Sequence, residues 1–327
     1  MQTKINKVEL RNLEIEDYKQ LKMNPYLTGA KIFHAKGSSN VVDPLRKPNG
    51  LLETLLAPIG SIKDKLLMLK LKLILKGKTV EEIFDAKEQS TMSFLMDYGF
   101  SEKMINNFFI PFLGGIFLEK ELTTSSRVFN FVFKMFGEGD ALLPQDGIQA
   151  IPNQLAQSLT QEELFLNAKV IDIAPNKVTL ANGESHQSDV ILIATDELNI
   201  PSFNVKPKAN YRKVLNIYFK SGQKPFQEAL IGLVAKPNCL VNNVAVLDNV
   251  CPSYSIGNSF LISISIIDYI IDVSLDENIK KIKDELSFWF NVDDWEYVEH
   301  YEIKYALPNQ ESVSYQPNPQ DFVIQQN

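Results

Sequence analysis

Apolar positions recur with two different periods along this chain, and the change of period divides it. From Pro58 to Met135 they return every three or four residues, with few β-branched clusters and with breaks at Gly77, Gly99 and Gly114-Gly115, the pattern of a helical region. Ser61 can cap a helix that runs to about Lys76 and stops at Gly77. At about 100° per residue this helix carries one apolar stripe of Ile62, Leu66, Leu69 and Leu73 and another of Leu67, Leu71, Ile74 and Leu75. Lys63 and Lys70 line one seam, while Lys65, Lys72 and Lys76 fall nearly opposite. The pattern predicts a helix sandwiched between two apolar bodies, with contact to a membrane surface open as the alternative.

Thr123, Thr124, Ser125 and Ser126 offer caps for a further helix, in which Phe129, Val132, Phe133 and Phe136 repeat on one side and Phe131 and Met135 widen the stripe. Such a stripe reads either as core packing or as the aromatic wall of an apolar ligand tunnel. A turn at Gln145-Asp146-Gly147 precedes another helical repeat, Ile148, Ile151, Leu155 and Leu159.

Beyond this point the period becomes that of strands. Lys169 to Ile173 and Lys177 to Leu180 alternate, Asn182-Gly183 marks a hairpin turn, and Asp189 to Ala194 is apolar without interruption after its first residue. An uninterrupted run predicts a central strand covered on both faces, ended by the cap-type residues Thr195 and Asp196. Val214 to Phe219 and Leu261 to Ile267 predict a second, half-exposed sheet, and Asp276 can cap a helix through Leu286 to Phe290.

The length of 327 residues suggests about two domains, which we expect to be interleaved. With 33 Lys and Arg against 40 Asp and Glu the formal charge is −7, so no basic surplus supports nucleic-acid binding. Cys239 and Cys251 are too few for a disulfide framework, which fits a cytoplasmic setting. His34, His186 and His300 are too scattered to indicate zinc. The polar N-terminus has no signal-type apolar region, and Asp268 and Asp272 break the most apolar run, Phe260 to Leu275. The only Gly-x-Gly, Gly137-Glu-Gly139, follows no strand and has Leu142 where the third glycine would stand. No phosphate loop and no Gly-x-Ser-x-Gly elbow occur.

Three runs carry a resemblance: Phe112 to Glu119, Leu122 to Arg127, and Leu143 to Pro152. In that order, followed by Val170 to Ile173, the Asn182-Gly183 hairpin, Cys251-Pro-Ser-Tyr254 and Tyr305-Ala-Leu-Pro308, the chain resembles the FAD-dependent amine oxidase, phytoene desaturase and protoporphyrinogen oxidase superfamily. The resemblance covers about positions 20 to 310. Members of that family also carry a strand with a Gly-x-Gly-x-x-Gly turn for the FAD pyrophosphate and a Gly-Asp segment that closes over the flavin; neither is found here, and Asp146 stands where the family often has a glycine.

The resemblance implies an α/β fold: an incomplete FAD/NAD(P)-binding (Rossmann-like) domain interleaved with an α+β substrate domain. Residues 1–57 and 138–200 would form the nucleotide side, 58–137 a helical insertion, 201–304 the substrate sheet and helix, and 305–327 the return toward the FAD side. It further implies that Val170 meets the adenine through its backbone and that Ala194 and Thr195 border FAD at a strand end. Phe112, Phe117, Phe131 and Tyr305 are candidates to line a substrate tunnel. The implied reaction is hydride transfer to the flavin from an amine or an apolar isoprenoid-like substrate, the apolar one being favoured by the 20 phenylalanines. No catalytic residue is implied, weak or no FAD binding is expected of this chain alone, and a second chain is a candidate to complete the FAD domain. The remaining alternatives are a non-catalytic remnant or a module that binds a hydrophobic ligand, and a membrane-peripheral location.

Overall fold

In the computed structural model, residues 18–43, 46–157, 159, 164–195, 210–255, 257–267 and 276–316 are described. Asp196, Asp268, Asp272 and Phe322 to Ile324 lie outside them.

The strands are β1 (Met23–Pro25), β2 (Gly29–His34), β3 (Gly37–Val42), β4 (Leu142–Pro144), β5 (Val170–Ala174) and β6 (Lys177–Leu180). They continue with β7 (Ser185–Gln187), β8 (Tyr211–Ser221), β9 (Ile231–Val234), β10 (Val241–Val246), β11 (Phe260–Ile267) and β12 (Glu296–Pro308). The helices are α1 (Tyr18–Leu21), α2 (Leu51–Leu56), α3 (Ile62–Lys76), α4 (Val80–Phe84) and α5 (Thr91–Tyr98). Then come α6 (Glu102–Met104), a π-turn segment Ile105–Phe109, α7 (Ile110–Phe117), α8 (Ser126–Glu138), α9 (Ala150–Ala156) and α10 (Asp276–Leu286).

A seven-stranded mixed sheet in the order β12-β8-β11-β10-β9-β2-β3 organises the molecule. Strands alternate their side chains, so adjacent residues of β2 serve opposite faces. Ile32 belongs to a core formed with α3 to α8, whereas Phe33 belongs to the core under α10. Leu233 and Val234 of β9 divide in the same way. Here the sheet is covered on both sides. Toward β8 and β11, among the described residues, only the α10 face is closed: Leu215, Ile217, Phe219, Ile262, Ile264 and Ile266 pack with Ile282, Leu286 and Phe290. β2 and β3 are hydrogen-bonded into this sheet through the parallel pair β2–β9.

The predicted helix after Ser61 is α3. Ser61 accepts from the Asp64 N–H while the Asp64 carboxylate accepts from the Ser61 N–H, a reciprocal cap, and the same carboxylate accepts from Ser101 at the start of α6. Its two stripes do not share one fate. Leu67, Leu71 and Leu75 enter the helical core, but Ile62, Leu66 and Leu73 are 67%, 61% and 55% exposed. The sandwich expectation is therefore corrected: among the described residues, α3 has an apolar body on one side only.

The Gly114-Gly115 pair lets α7 approach β10. A β-bulge between Val241 and Asn243 turns Asn242 toward the helix, where its side-chain amide donates to the Pro111 carbonyl at 3.3 Å. A methyl on Gly115 would lie 2.9 Å from the amide nitrogens of Asn242 and Asn243, and one on Gly114 3.1 Å from Asn242 and 3.2 Å from Ile267. Alanine in an unobstructed helix gains about 0.5–1 kcal/mol over glycine. Here overpacking reverses the sign, and the double variant Gly114→Ala/Gly115→Ala is expected to lose about 1–3 kcal/mol in urea unfolding. A gain would show that the helix does not rest on β10.

Candidate functional site

The uncovered face of β8 and β11 is polar. On β8 the residues between the buried Leu215, Ile217 and Phe219 are Asn216 and Tyr218; on β11 those between Ile262, Ile264 and Ile266 are Ser263 and Ser265. The register sets Asn216 opposite Ser265, Ser265 opposite Asn243, and Tyr301 of β12 opposite Asn216. The Asn216 side-chain oxygen accepts from Ser263 at 3.1 Å and Ser265 at 3.3 Å, and its amide nitrogen donates to the Tyr218 hydroxyl at 2.9 Å. These side chains are half-buried. The result is an uncharged shelf that can hydrogen-bond a polar group from either side and fix its orientation.

One end of the shelf is closed by an ion pair. Arg212, on the same face of β8 as Asn216, donates to Glu119 at 2.8 Å and to the Thr123 hydroxyl at 2.8 Å. Glu119 is 1% exposed and also accepts from the Thr124 N–H, the Thr124 hydroxyl and the Thr123 hydroxyl. Burial alone would push its carboxyl up; the hydrogen bonds from Thr124 and Thr123 outweigh that and hold it below the usual carboxylate range. Glu119 and Thr123 lie in the runs that carry the resemblance, yet their role is visible only once Arg212 is placed beside them.

Two other resembling runs meet each other. Tyr254 donates to the Pro144 carbonyl at 2.6 Å and Ser253 to the Gln145 carbonyl at 2.7 Å, while Asn24 donates to the Cys251 thiol sulfur at 3.2 Å. Cys251-Pro-Ser-Tyr254 thus ties β4 and the turn at Gln145-Asp146-Gly147 to the large sheet. Burial, with Cys251 beside it, pushes the Tyr254 phenol up.

The expected substrate residues fall in separate places. Phe112 is half-buried on α7 between the rings of Phe108 and Phe136. Phe117 is 1% exposed within the helical core. Phe131 packs on Phe84, and Tyr305 is 58% exposed with its ring against Tyr211 at the start of β8. None of the four was expected beside Asn216, which the sequence presents only as a polar position in an alternating strand.

On the nucleotide side, Val170 opens β5 and pairs with Leu180 in the three-stranded meander β5-β6-β7. The hairpin after Leu180 forms as expected, with Gly183 at φ +88°. Asp189 to Thr195 do not form the predicted central strand. They lie outside any strand, with Val190 79% and Leu192 88% exposed and Ala194 and Thr195 exposed. The physical reason is pairing: no strand among the described residues lies alongside to bond their backbone or cover their side chains.

FAD would need a pyrophosphate cradle of backbone N–H groups at a helix N-terminus. Gly137 and Gly139 sit instead at the C-terminal end of α8. The described residues therefore do not make a complete FAD site; Val170, Ala194 and Thr195 could border one.

The molecule is thus an α/β protein in which a half-covered mixed sheet and a helical layer stand beside a partial nucleotide-type unit. Residues 8–320 match the model of the flavin-containing amine oxidoreductase family, and the chain belongs to that family. Its fold, a Rossmann-like domain with a substrate domain, is shared with solved structures. Reduced UDP-galactopyranose mutase is similar at TM-score 0.56 and 14% identity, over 88% of this chain and 68% of that one. An oxidoreductase from Methanosarcina mazei is similar at TM-score 0.63 and 13% identity, over 87% and 71%. A protein from Pyrococcus furiosus is similar at TM-score 0.53 and 13% identity, over 72% of this chain and 63% of that one. No curated protein matches the chain.

Proposed function

We propose that this chain is the substrate-binding part of a flavin-dependent oxidoreductase of the amine oxidase type, and that a second chain completes its FAD domain. The observation that carries the reading is the segment Asp189 to Thr195, apolar in sequence but outside any strand, with Val190, Leu192 and Ala194 exposed. Backbone groups and apolar side chains of this kind are what a parallel neighbour strand would satisfy. That neighbour would bring the Gly-x-Gly-x-x-Gly turn missing here, with Val170, Ala194 and Thr195 at the rim of the assembled site. When bound, the flavin would supply the redox chemistry, and this chain would orient the substrate.

Between the two substrate classes, the uncharged shelf at Asn216, Ser263 and Ser265 favours a molecule with an amine or hydroxyl to place there over a purely apolar one. Phe112 and Tyr305 remain candidates for the apolar remainder of the substrate; Phe117 is accounted for by the core, and Phe131 by its contact with Phe84.

The test is to add excess FAD to the purified chain, gel-filter, and record flavin absorption in the protein peak. We expect none from the chain alone, and flavin in the peak after co-expression with an adjacent reading frame that encodes the glycine-rich turn. Near-stoichiometric flavin on the chain alone, or no such reading frame in the flanking DNA, would overturn the two-chain reading. A co-purified pair that still takes up no flavin would overturn the flavoprotein reading itself.

A further inference from the structure

The outward surface of α2 and α3 is apolar where a water-facing helix should be polar. Leu52 and Leu56 of α2 are 67% and 74% exposed, and Ile62, Leu66 and Leu73 of α3 point away from the helical core. On the helix wheel these three residues of α3 fall within one narrow sector, opposite the buried Asp64, Leu71 and Leu75. The two helices form one surface. Lys65 reaches from α3 to donate to the carbonyls of Leu55 and Ala57 at the end of α2, and Lys72 pairs with Asp43 beside the Val42–Thr54 contact that anchors α2. Both lysines occupy the flank of α3 that faces α2, so the leucines of α2 continue the exposed stripe of α3.

The edges of this stripe are basic. Lys63 and Lys70 border it on one side and Lys76 on the other, all three exposed. Residues 62–78 hold six lysines against one acid, Asp64, in a chain whose formal charge is −7. Asp64 is buried and engaged by Ser61 and Ser101, so it does not offset the surface charge of that face. An apolar strip rimmed by lysines matches one environment in particular, the boundary between acyl chains and anionic headgroups. A second copy of the chain fits less well, because symmetric packing of the strip would bring like-charged lysine rows together.

We propose that the α2–α3 face docks on anionic phospholipid membranes, with its leucines at the acyl boundary and Lys63, Lys70 and Lys76 among the headgroups. No helix among the described residues is long and apolar enough to cross a membrane, so this contact is peripheral. The placement is independent of the flavin reading: it rests on a face remote in sequence from Val170 and from the shelf at Asn216.

The experiment is cosedimentation of the full chain with phosphatidylcholine vesicles, with and without phosphatidylserine, at low and high salt. The chain should pellet with the phosphatidylserine vesicles and release with salt. Lys63→Glu/Lys70→Glu/Lys76→Glu should weaken binding at least roughly hundredfold, since each lysine near an anionic surface contributes roughly fivefold. Leu66→Ser/Leu73→Ser should abolish binding while leaving the melting temperature in place, because both side chains are already exposed. Val190→Ser/Leu192→Ser changes an equally exposed apolar segment elsewhere and should bind as the parent does. No pelleting with phosphatidylserine vesicles, equal loss in the Val190/Leu192 variant, or binding unchanged by both α3 variants would overturn the proposal. So would a dimer that Leu66→Ser/Leu73→Ser dissolves and that does not pellet with vesicles.

Discussion

Glu119→Ala is expected to destabilise the protein by about 3–5 kcal/mol, the cost of removing one partner from a buried ion pair. The carboxylate satisfies the Thr124 N–H at 2.7 Å, the hydroxyls of Thr123 and Thr124, and the Arg212 guanidinium at 2.8 Å. Deleting it strands the N–H and hydroxyl of Thr124 and takes from Arg212 its closest carboxylate, leaving Thr123 and Arg212 only the more distant carboxylate of Glu311. Urea unfolding measures the loss, and a change below about 1 kcal/mol would mean that water replaces the carboxylate. Glu119→Gln keeps the shape and one acceptor oxygen, so it should lose less.

The same group makes stability depend on acid. Its folded carboxyl is held below the usual range by hydrogen bonds that exceed the opposing effect of burial. A depressed folded value means the folded state holds its proton less tightly than the unfolded one. The contribution is therefore present in full above the ordinary carboxylate range, about pH 4.3, and is lost as pH falls from there through the folded value. Asp64, Glu88 and Glu228 are shifted in the same direction. Glu119→Gln should accordingly flatten part of the acid limb of stability while leaving the rest in place.

What the sequence discloses depends on whether neighbours along the chain, or distant residues, decide the outcome. The capped start of α3 and its Gly77 stop, the Asn182-Gly183 hairpin and the alternation in β8 and β11 are local, and all are legible. The fate of the α3 stripes is not, because both are apolar and only the position of the remaining helices decides which one is buried. β2 escapes the period-two pattern for the opposite reason: Ile32 and Phe33 are both buried, on opposite faces. Asp189 to Ala194 reads as a central strand because its composition suits one, but a strand also needs partners, and none is among the described residues. The half-exposed sheet of Val214 to Phe219 and Leu261 to Ile267 is legible, but the joining of Asn216 to Ser263 and Ser265 follows from register, which single-strand patterns do not contain.

Phe109→Ala should rival the loss at Glu119, and it tests whether the two cores are one cooperative unit. Phe109 is fully buried in the π-turn segment before α7, edge-on to Phe100 at 4.8 Å and to Phe108 at 5.3 Å, with Phe129 at 5.9 Å. Truncation to alanine removes the buried ring and leaves a cavity, at a cost of about 3–5 kcal/mol. The two tryptophans, Trp289 and Trp295, lie with the other core, across the sheet. Because β2 sends Ile32 into one core and Phe33 into the other, neither layer can detach without exposing a face of the same strand. The urea midpoint reported by tryptophan fluorescence should thus fall as far as the midpoint reported by far-ultraviolet circular dichroism. A tryptophan midpoint that stays in place while the circular dichroism transition splits would show that the helical layer unfolds by itself and that β2 does not couple the two cores.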